Sequence, residues 1–155
     1  CDSVDMGFQR ARCVLIVENE RNFHQYRQML NFASEVLGKP LELSGCDVVL
    51  GGGNRITRGA ILEWLMGYED VFCAFDYDAG GLQMFATIAA SLTDKARFVQ
   101  PADWQPWLNR FCKIPDSTER FTKALSLAET LRFVSLAEAF RTTGKFMEQE
   151  MILDE

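Results

Sequence analysis

The chain reads as an α/β fold: a parallel sheet of about four strands flanked by helices, with a helical C-terminal extension. Three observations carry this. Cys13-Val14-Leu15-Ile16-Val17 is an unbroken apolar run rich in β-branched residues, the pattern of a strand buried on both faces. Strand-like and helix-like segments then alternate as β-α-β-α-β-α-β across residues 12–99, and alternation at this spacing implies right-handed crossovers between parallel strands. After Pro101 the strand pattern stops and helical spacing continues alone.

The elements follow in order. Residues 1–11 are a loosely patterned lead-in, and residues 12–18 hold the first strand. Residues 19–37 set Phe23, Tyr26, Leu30, Ala33 and Leu37 at helical spacing; Asn19 or Asn22 can cap the start, and Gly38-Lys39-Pro40 ends the run. Val48-Val49-Leu50 is a second short strand, leading into Gly51-Gly52-Gly53-Asn54. Residues 57–67 read as a helix with Ile61, Leu62 and Leu65 inward, residues 71–75 as the third strand, 81–92 as the third helix and 96–99 as the fourth strand. Beyond Pro101, residues 103–112, 118–130, 134–140 and 144–153 all read as helices. There is no internal repeat and no low-complexity segment. The expectation is an α/β core over residues 12–100, with residues 101–155 a helical part of the same domain.

Composition narrows the function. At 155 residues the chain is long enough for one domain with a sizeable core. Lys and Arg number 16 against 22 Asp and Glu, a net charge of −6, so the chain as a whole is no basic nucleic-acid-binding surface. A carboxylate-rich site for a hard cation is compatible with that balance. The five cysteines, Cys1, Cys13, Cys46, Cys73 and Cys112, show neither CxxC pairing nor zinc spacing, and read as reduced thiols of a cytoplasmic protein. No apolar run approaches the ~20 residues of a membrane span, and the start Cys1-Asp2-Ser3 lacks a signal-peptide pattern. Beginning without Met, the chain reads as a domain cut from a longer protein.

The chemistry concentrates in Phe75-Asp76-Tyr77-Asp78-Ala79-Gly80-Gly81-Leu82. Asp76 and Asp78, two residues apart on an extended segment, point the same way, and both can reach a hard cation that holds phosphate oxygens. The competing structural reading is a polar loop whose Asp residues cap the next helix. Their position after a buried strand of an α/β sheet favours a site, since ligands bind at the carboxyl ends of such strands. Glu18 ends the first strand; alone it is a helix-dipole acid, but beside Asp76 and Asp78 it becomes a third ligand or a proton carrier. The Gly51–Asn54 loop offers backbone N–H groups to a phosphate, with Gly52, Gly53, Arg55 and Arg58 as candidate phosphate or DNA contacts. It has no Gly-Lys-Ser/Thr ending and is not a P-loop; a plain flexible turn with solvated arginines is the alternative. His24, the single histidine, reads as a helix-surface residue, and Trp64, Trp104 and Trp107 as packing residues. Glu148-Gln149-Glu150 reads as an exposed acidic face of the last helix.

Glu18 after the first strand, the Gly52-Gly53 loop and Asp76-x-Asp78-x-x-Gly81 after the third, in this order, resemble a Toprim domain, a Rossmann-like module shared by topoisomerases, primases and nucleases. The resemblance covers residues 12–99. It implies that Glu18, Asp76 and Asp78 are catalytic and bind one or two Mg²⁺ or Mn²⁺ ions. Val17-Glu18-Asn19 with Phe23, then Asp76 to Leu82, and Phe146-Met147-Glu148-Gln149-Glu150 are more narrowly similar to the C-terminal Toprim domain of the Wadjet-system nuclease subunit, a group related to the A subunit of type IIB topoisomerases. Ala79 stands where such relatives commonly have Pro, and Gly80 where they have a larger residue.

The resemblance implies a metal-dependent DNA endonuclease in a bacterial cytoplasmic plasmid-defence system. Its expected partners are DNA, an SMC-like complex that feeds DNA to it, and a second copy forming a homodimer in the full-length protein; no membrane is involved. Two alternatives stand beside this. One is a topoisomerase-like transesterase half, which needs a tyrosine from another domain because Tyr26, Tyr68 and Tyr77 lack such a context. The other is a non-catalytic module that binds DNA or a partner.

Overall fold

The computed structural model describes residues 11–153, so the lead-in lies outside the described residues apart from Ala11. Strands β1 (Cys13–Val17), β2 (Cys46–Leu50), β3 (Asp70–Ala74) and β4 (Ala96–Phe98) form one all-parallel sheet in the order β2-β1-β3-β4. This is the α/β architecture expected. Every residue of β1 is buried, which is why its sequence is continuously apolar rather than alternating.

Successive residues of the central strands serve opposite faces. Val14, Ile16, Val71 and Cys73 belong to one core; Cys13, Leu15, Val17, Phe72 and Ala74 belong to the other. Each fully buried Leu or Ile contributes about 1.5–3 kcal/mol by leaving water, so a one-residue slip of β1 would be heavily penalised.

Six helices cover the sheet: α1 (Glu20–His24), α2 (Tyr26–Leu37), α3 (Gly59–Leu65), α4 (Ala79–Leu92), α5 (Thr118–Thr130) and α6 (Val134–Thr143). From α2, Met29, Leu30, Phe32 and Ala33 pack on the Leu15 face. On the Ile16 face, α4 contributes Leu82, Phe85 and Ile88, and Ala124, Ala128, Leu136 and Phe140 of α5 and α6 join the same core.

Four expected helices differ. The run over residues 19–37 is two helices, interrupted at Gln25 (φ −98°, ψ 37°) with no breaker residue to announce it. The helix expected from residue 57 begins at Gly59, because Gly53–Thr57 is a 3-10 turn. Residues 103–112 hold only a 3-10 segment, Gln105–Arg110, with Pro106 denying it a backbone donor. Residues 144–153 do not form a helix: Gly144 ends α6 in the left-handed region (φ 67°), Phe146 and Met147 pair as extended backbone, and a short 3-10 turn, Gln149–Ile152, follows.

The chain moves from β1 outward to β2, then crosses back over β1 to β3 and β4. The carboxyl ends of β1 and β3 therefore flank the point where the winding direction reverses, the place where open α/β sheets bind ligands.

Candidate functional site

Glu18 leaves the end of β1 and Asp76 follows β3, and the register pairs Val17 with Ala74, so the two acids emerge side by side. Glu18 Oε1 accepts from the Asp76 backbone N–H at 2.9 Å. The period of two then decides the orientation of the loop. Phe75 and Tyr77 point into the core while Asp76 and Asp78 face the crevice. Tyr77 is locked below them: its hydroxyl donates to Val99 O at 2.8 Å, and its ring meets Trp104 edge-on at 4.6 Å between centroids. Asp78 caps α4, its Oδ1 accepting from Gly81 N–H at 2.8 Å. Asp78 thus meets the capping role expected of it, and since capping occupies a single oxygen the other remains for the site role. Gly81 permits the turn: a Cβ there would stand 2.0 Å from Asp76 O.

The C-terminal segment closes the site from behind. Tyr77 N–H donates to Met147 O at 2.9 Å, and Lys113 and Phe146 exchange two backbone bonds of 3.0 and 2.8 Å. Two residues on, Gln149 N–H donates to Asp76 Oδ1 at 2.7 Å. Gln149 is buried, not part of an exposed acidic face as its neighbours suggest. Its carboxamide faces the Tyr77 hydroxyl, yet neither amide atom reaches a hydrogen-bond partner. Asn22, also buried, donates weakly to Gln149 O at 3.4 Å and to Met29 Sδ at 3.0 Å.

Burial pushes the Glu18 carboxyl up to about 8, reinforced by the charge of Asp76. Burial likewise raises Asp76 to about 6, opposed by the Gln149 N–H and reinforced by Asp78. The two carboxyls emerge side by side, and each shifts the other's titration. Among the described residues, Lys113 is the cation at ion-pair distance from these acids, its Nζ 3.9 Å from Asp78 Oδ2.

An all-oxygen donor set of this kind suits a hard cation such as Mg²⁺ or Mn²⁺. Among the described residues, no group of three or more Asp, Glu, His or Cys side chains is arranged so that it could hold a metal ion as it stands. One oxygen of each acid is already held by a backbone N–H. By donor type, the oxygens left over suit a cation that keeps much of its water, as Mg²⁺ does, more than one enclosed by protein alone.

The structure thus brings Glu18, Asp76 and Asp78 together. Gly51 N–H donates to Val17 O at 2.7 Å, which sets the glycine loop on the β2 side of Glu18, at the same sheet edge. Gly52 takes a left-handed conformation (φ 64°) that favours glycine, and Gly53 opens the 3-10 turn. Arg55 folds back, its Nε donating to Gly52 O at 3.3 Å, and Arg58 is exposed ahead of α3. Among the described residues neither arginine pairs with the three acids. Sequence reading missed Lys113, Gln149 and Arg120, whose Nη2 lies 3.7 Å from where a Cβ on Gly80 would stand. Only the similarity of the Phe146–Glu150 stretch to a known group pointed toward Gln149; nothing marked the two cations. Tyr68 donates to Asp47 Oδ2 at 2.7 Å and Tyr77 is fully buried, so neither presents a free hydroxyl to the crevice.

Among the described residues no helix is long and apolar enough to cross a membrane. No curated protein and no solved structure matches the chain. The family described as Wadjet protein JetD, C-terminal, matches residues 3–155, nearly the whole sequence, and the chain belongs to that family.

Proposed function

We propose that the chain is a Toprim-type, metal-dependent DNA endonuclease domain acting as the nuclease component of a Wadjet plasmid-defence system. The observation that carries this reading is the meeting of Glu18, Asp76 and Asp78 at the switch point of the sheet, each with one oxygen fixed by a backbone N–H. Membership of the Wadjet family supplies the biological setting. An SMC-like complex presenting DNA, and a second copy cutting the other strand, complete the proposal.

Glu18, Asp76 and Asp78 would hold the one or two Mg²⁺ or Mn²⁺ ions, which when bound would supply Lewis acidity toward the scissile phosphate, the attacking water and the leaving 3′ oxygen. The residues do the positioning. The N–H groups of Asp76, Gly81 and Gln149 fix the three carboxylates, so no side-chain ordering is left for the reaction itself. Glu18, raised above the ordinary carboxylate range in the metal-free chain, is the candidate general acid where it is not itself a metal ligand: as the P–O3′ bond breaks, its proton would go to the leaving oxygen.

The test is plasmid cleavage by the intact protein with Mn²⁺, beside Glu18→Ala, Asp76→Ala and Asp78→Ala. Each variant is expected to lose cutting by about 100-fold or more, the scale of a general acid–base or charge-stabilising group. Asp78→Ala cutting as well as the parent would remove the assigned site. Free ends bearing no protein support hydrolysis; a covalent protein–DNA adduct would replace it with the transesterase.

A further inference from the structure

We propose that Lys113 and Arg120 form the phosphodiester-binding subsite of this centre, gripping the DNA backbone beside the metal-binding acids. The inference rests on the nuclease reading and deepens it. It also replaces the glycine loop and its arginines as the main phosphate contact.

Lys113 is not a free surface lysine. Its N–H and C=O are both bonded to Phe146, Met147 is bonded to Tyr77, and Tyr77 separates Asp76 from Asp78. This three-segment stitch delivers the ammonium to the acids by backbone geometry and leaves only the side chain to move. The distance to Asp78 Oδ2 is 3.9 Å, too long for a hydrogen bond, so its N–H donors are not taken up by Asp78. Arg120 approaches from the first turn of α5. Its guanidinium and Asp78 Oδ1 flank Gly80 from two sides, at 3.7 and 3.6 Å from the position a Cβ would occupy. Among the described residues Arg120 has no carboxylate at ion-pair distance, whereas Arg12, Arg21, Lys39 and Arg141 are all paired.

Lys113 lies beside Asp78 and Arg120 beside the Gly80 turn, and neither is hydrogen-bonded to a carboxylate among the described residues. With a divalent cation on Asp78, the attraction that now holds Lys113 is cancelled, and Nζ needs another negative group within reach. A backbone phosphate beside Lys113 would meet that need, and Arg120 offers its oxygens paired N–H donors. The N-terminal turn of α4 adds dipole of the same sign. Ile114, next in sequence and 74% exposed, leaves this side open to a bulky polyanion.

The experiment is binding of a short DNA duplex to the intact protein, followed by anisotropy over a range of KCl, with Ca²⁺ replacing Mn²⁺ so that the strand is not cut. Lys113→Gln and Arg120→Gln are each expected to reduce the slope of log K against log salt by about 0.9, one phosphate contact apiece. Lys113→Arg should retain the slope. Mn²⁺ binding, measured by calorimetry on the same variants, should be unchanged. An unchanged salt slope in both Gln variants overturns the subsite, as does loss of Mn²⁺ binding in Lys113→Gln, which would make the lysine a metal-site support. A parent that binds no Mn²⁺ and never cuts, but whose slope still falls in the variants, would overturn the nuclease reading and leave the phosphate subsite standing.

Discussion

Glu18 sits where an ionised carboxylate is costly: largely buried and bonded to the Asp76 N–H, while Lys113 lies at ion-pair distance from Asp78 instead. The thermodynamic consequence has a definite sign. Because its folded value of about 8 exceeds the ordinary 4.5, the folded chain holds a proton that the unfolded chain has released. Stability from this group is fully present below the ordinary range and is lost as pH rises through the window to about 8; Asp76, raised to about 6, adds loss in the lower part of that window. A divalent cation favours the ionised form, so its stabilising effect should grow as pH rises over the same interval. In metal-free protein at alkaline pH, Glu18→Gln is expected to be more stable than the parent by roughly 2 kcal/mol, with little difference in acid. Added Mn²⁺ should raise the melting temperature of the parent and leave that of the variant nearly unmoved. Denaturation curves at both ends of the window, with chelator and with Mn²⁺, check the prediction; a variant less stable than the parent in alkaline chelator would show that Glu18 is not strained.

At the scale of elements, the site depends on how α4 begins. Ala79, Gly80 and Gly81 make its first turn, and the two glycines are not equivalent. A methyl on Gly81 would stand 2.0 Å from Asp76 O, whereas on Gly80 it meets Asp78 Oδ1 and Arg120 Nη2 at ordinary contact distances of 3.6 and 3.7 Å. Gly81→Ala should therefore destabilise by about 3 kcal/mol or more and displace Asp76, weakening Mn²⁺ binding. Gly80→Ala should be neutral or stabilising by about 0.5 kcal/mol, through the entropy that glycine loses on folding. Urea denaturation of the two variants separates the cases, and equal effects would refute the geometry. These elements also show what a sequence can reveal. The strands, α2, α4 and α5 were legible because burial on two faces and period 3.6 leave direct marks in β1, in Leu30 and Ala33, and in the runs over residues 81–92 and 118–130. So were Asp76 and Asp78, which a motif announces. The stretches around Gln105 and Gln149 were not. Their helical spacing is overridden by Pro106 and by pairing with Lys113 and Tyr77, contacts between segments far apart in the chain. Lys113 and Gln149 enter the site through that pairing alone, so no local pattern could carry them.

At the scale of the whole molecule, sheet order and net charge pose one electrostatic problem. The order β2-β1-β3-β4 gathers Glu18, Asp76 and Asp78 at one edge, in a chain of net charge −6. On the proposed nuclease reading, DNA would bring a dense row of phosphates to that edge. Without metal, the acids repel the backbone and outweigh Lys113 and Arg120; with a divalent cation bound, the sign of the local field reverses while the distant surface charge is screened within about 8–10 Å by salt. Affinity for DNA should therefore be conditional on metal. The parent is expected to bind duplex about tenfold or more tightly in Ca²⁺ than in chelator, a difference of about 1.4 kcal/mol, within reach of one charge reversal a few ångströms from a phosphate. Asp78→Asn makes the argument decisive because its two effects oppose. It removes a metal ligand, so it should bind DNA more weakly than the parent in Ca²⁺. It also removes a repulsive charge beside Lys113, so it should bind more tightly than the parent in chelator. Anisotropy titrations of both proteins under both conditions would show the two curves exchanging order. A variant weaker in both conditions would mean that Asp78 holds the fold of the crevice and not its charge, and a variant equal in both would place the DNA elsewhere on the molecule.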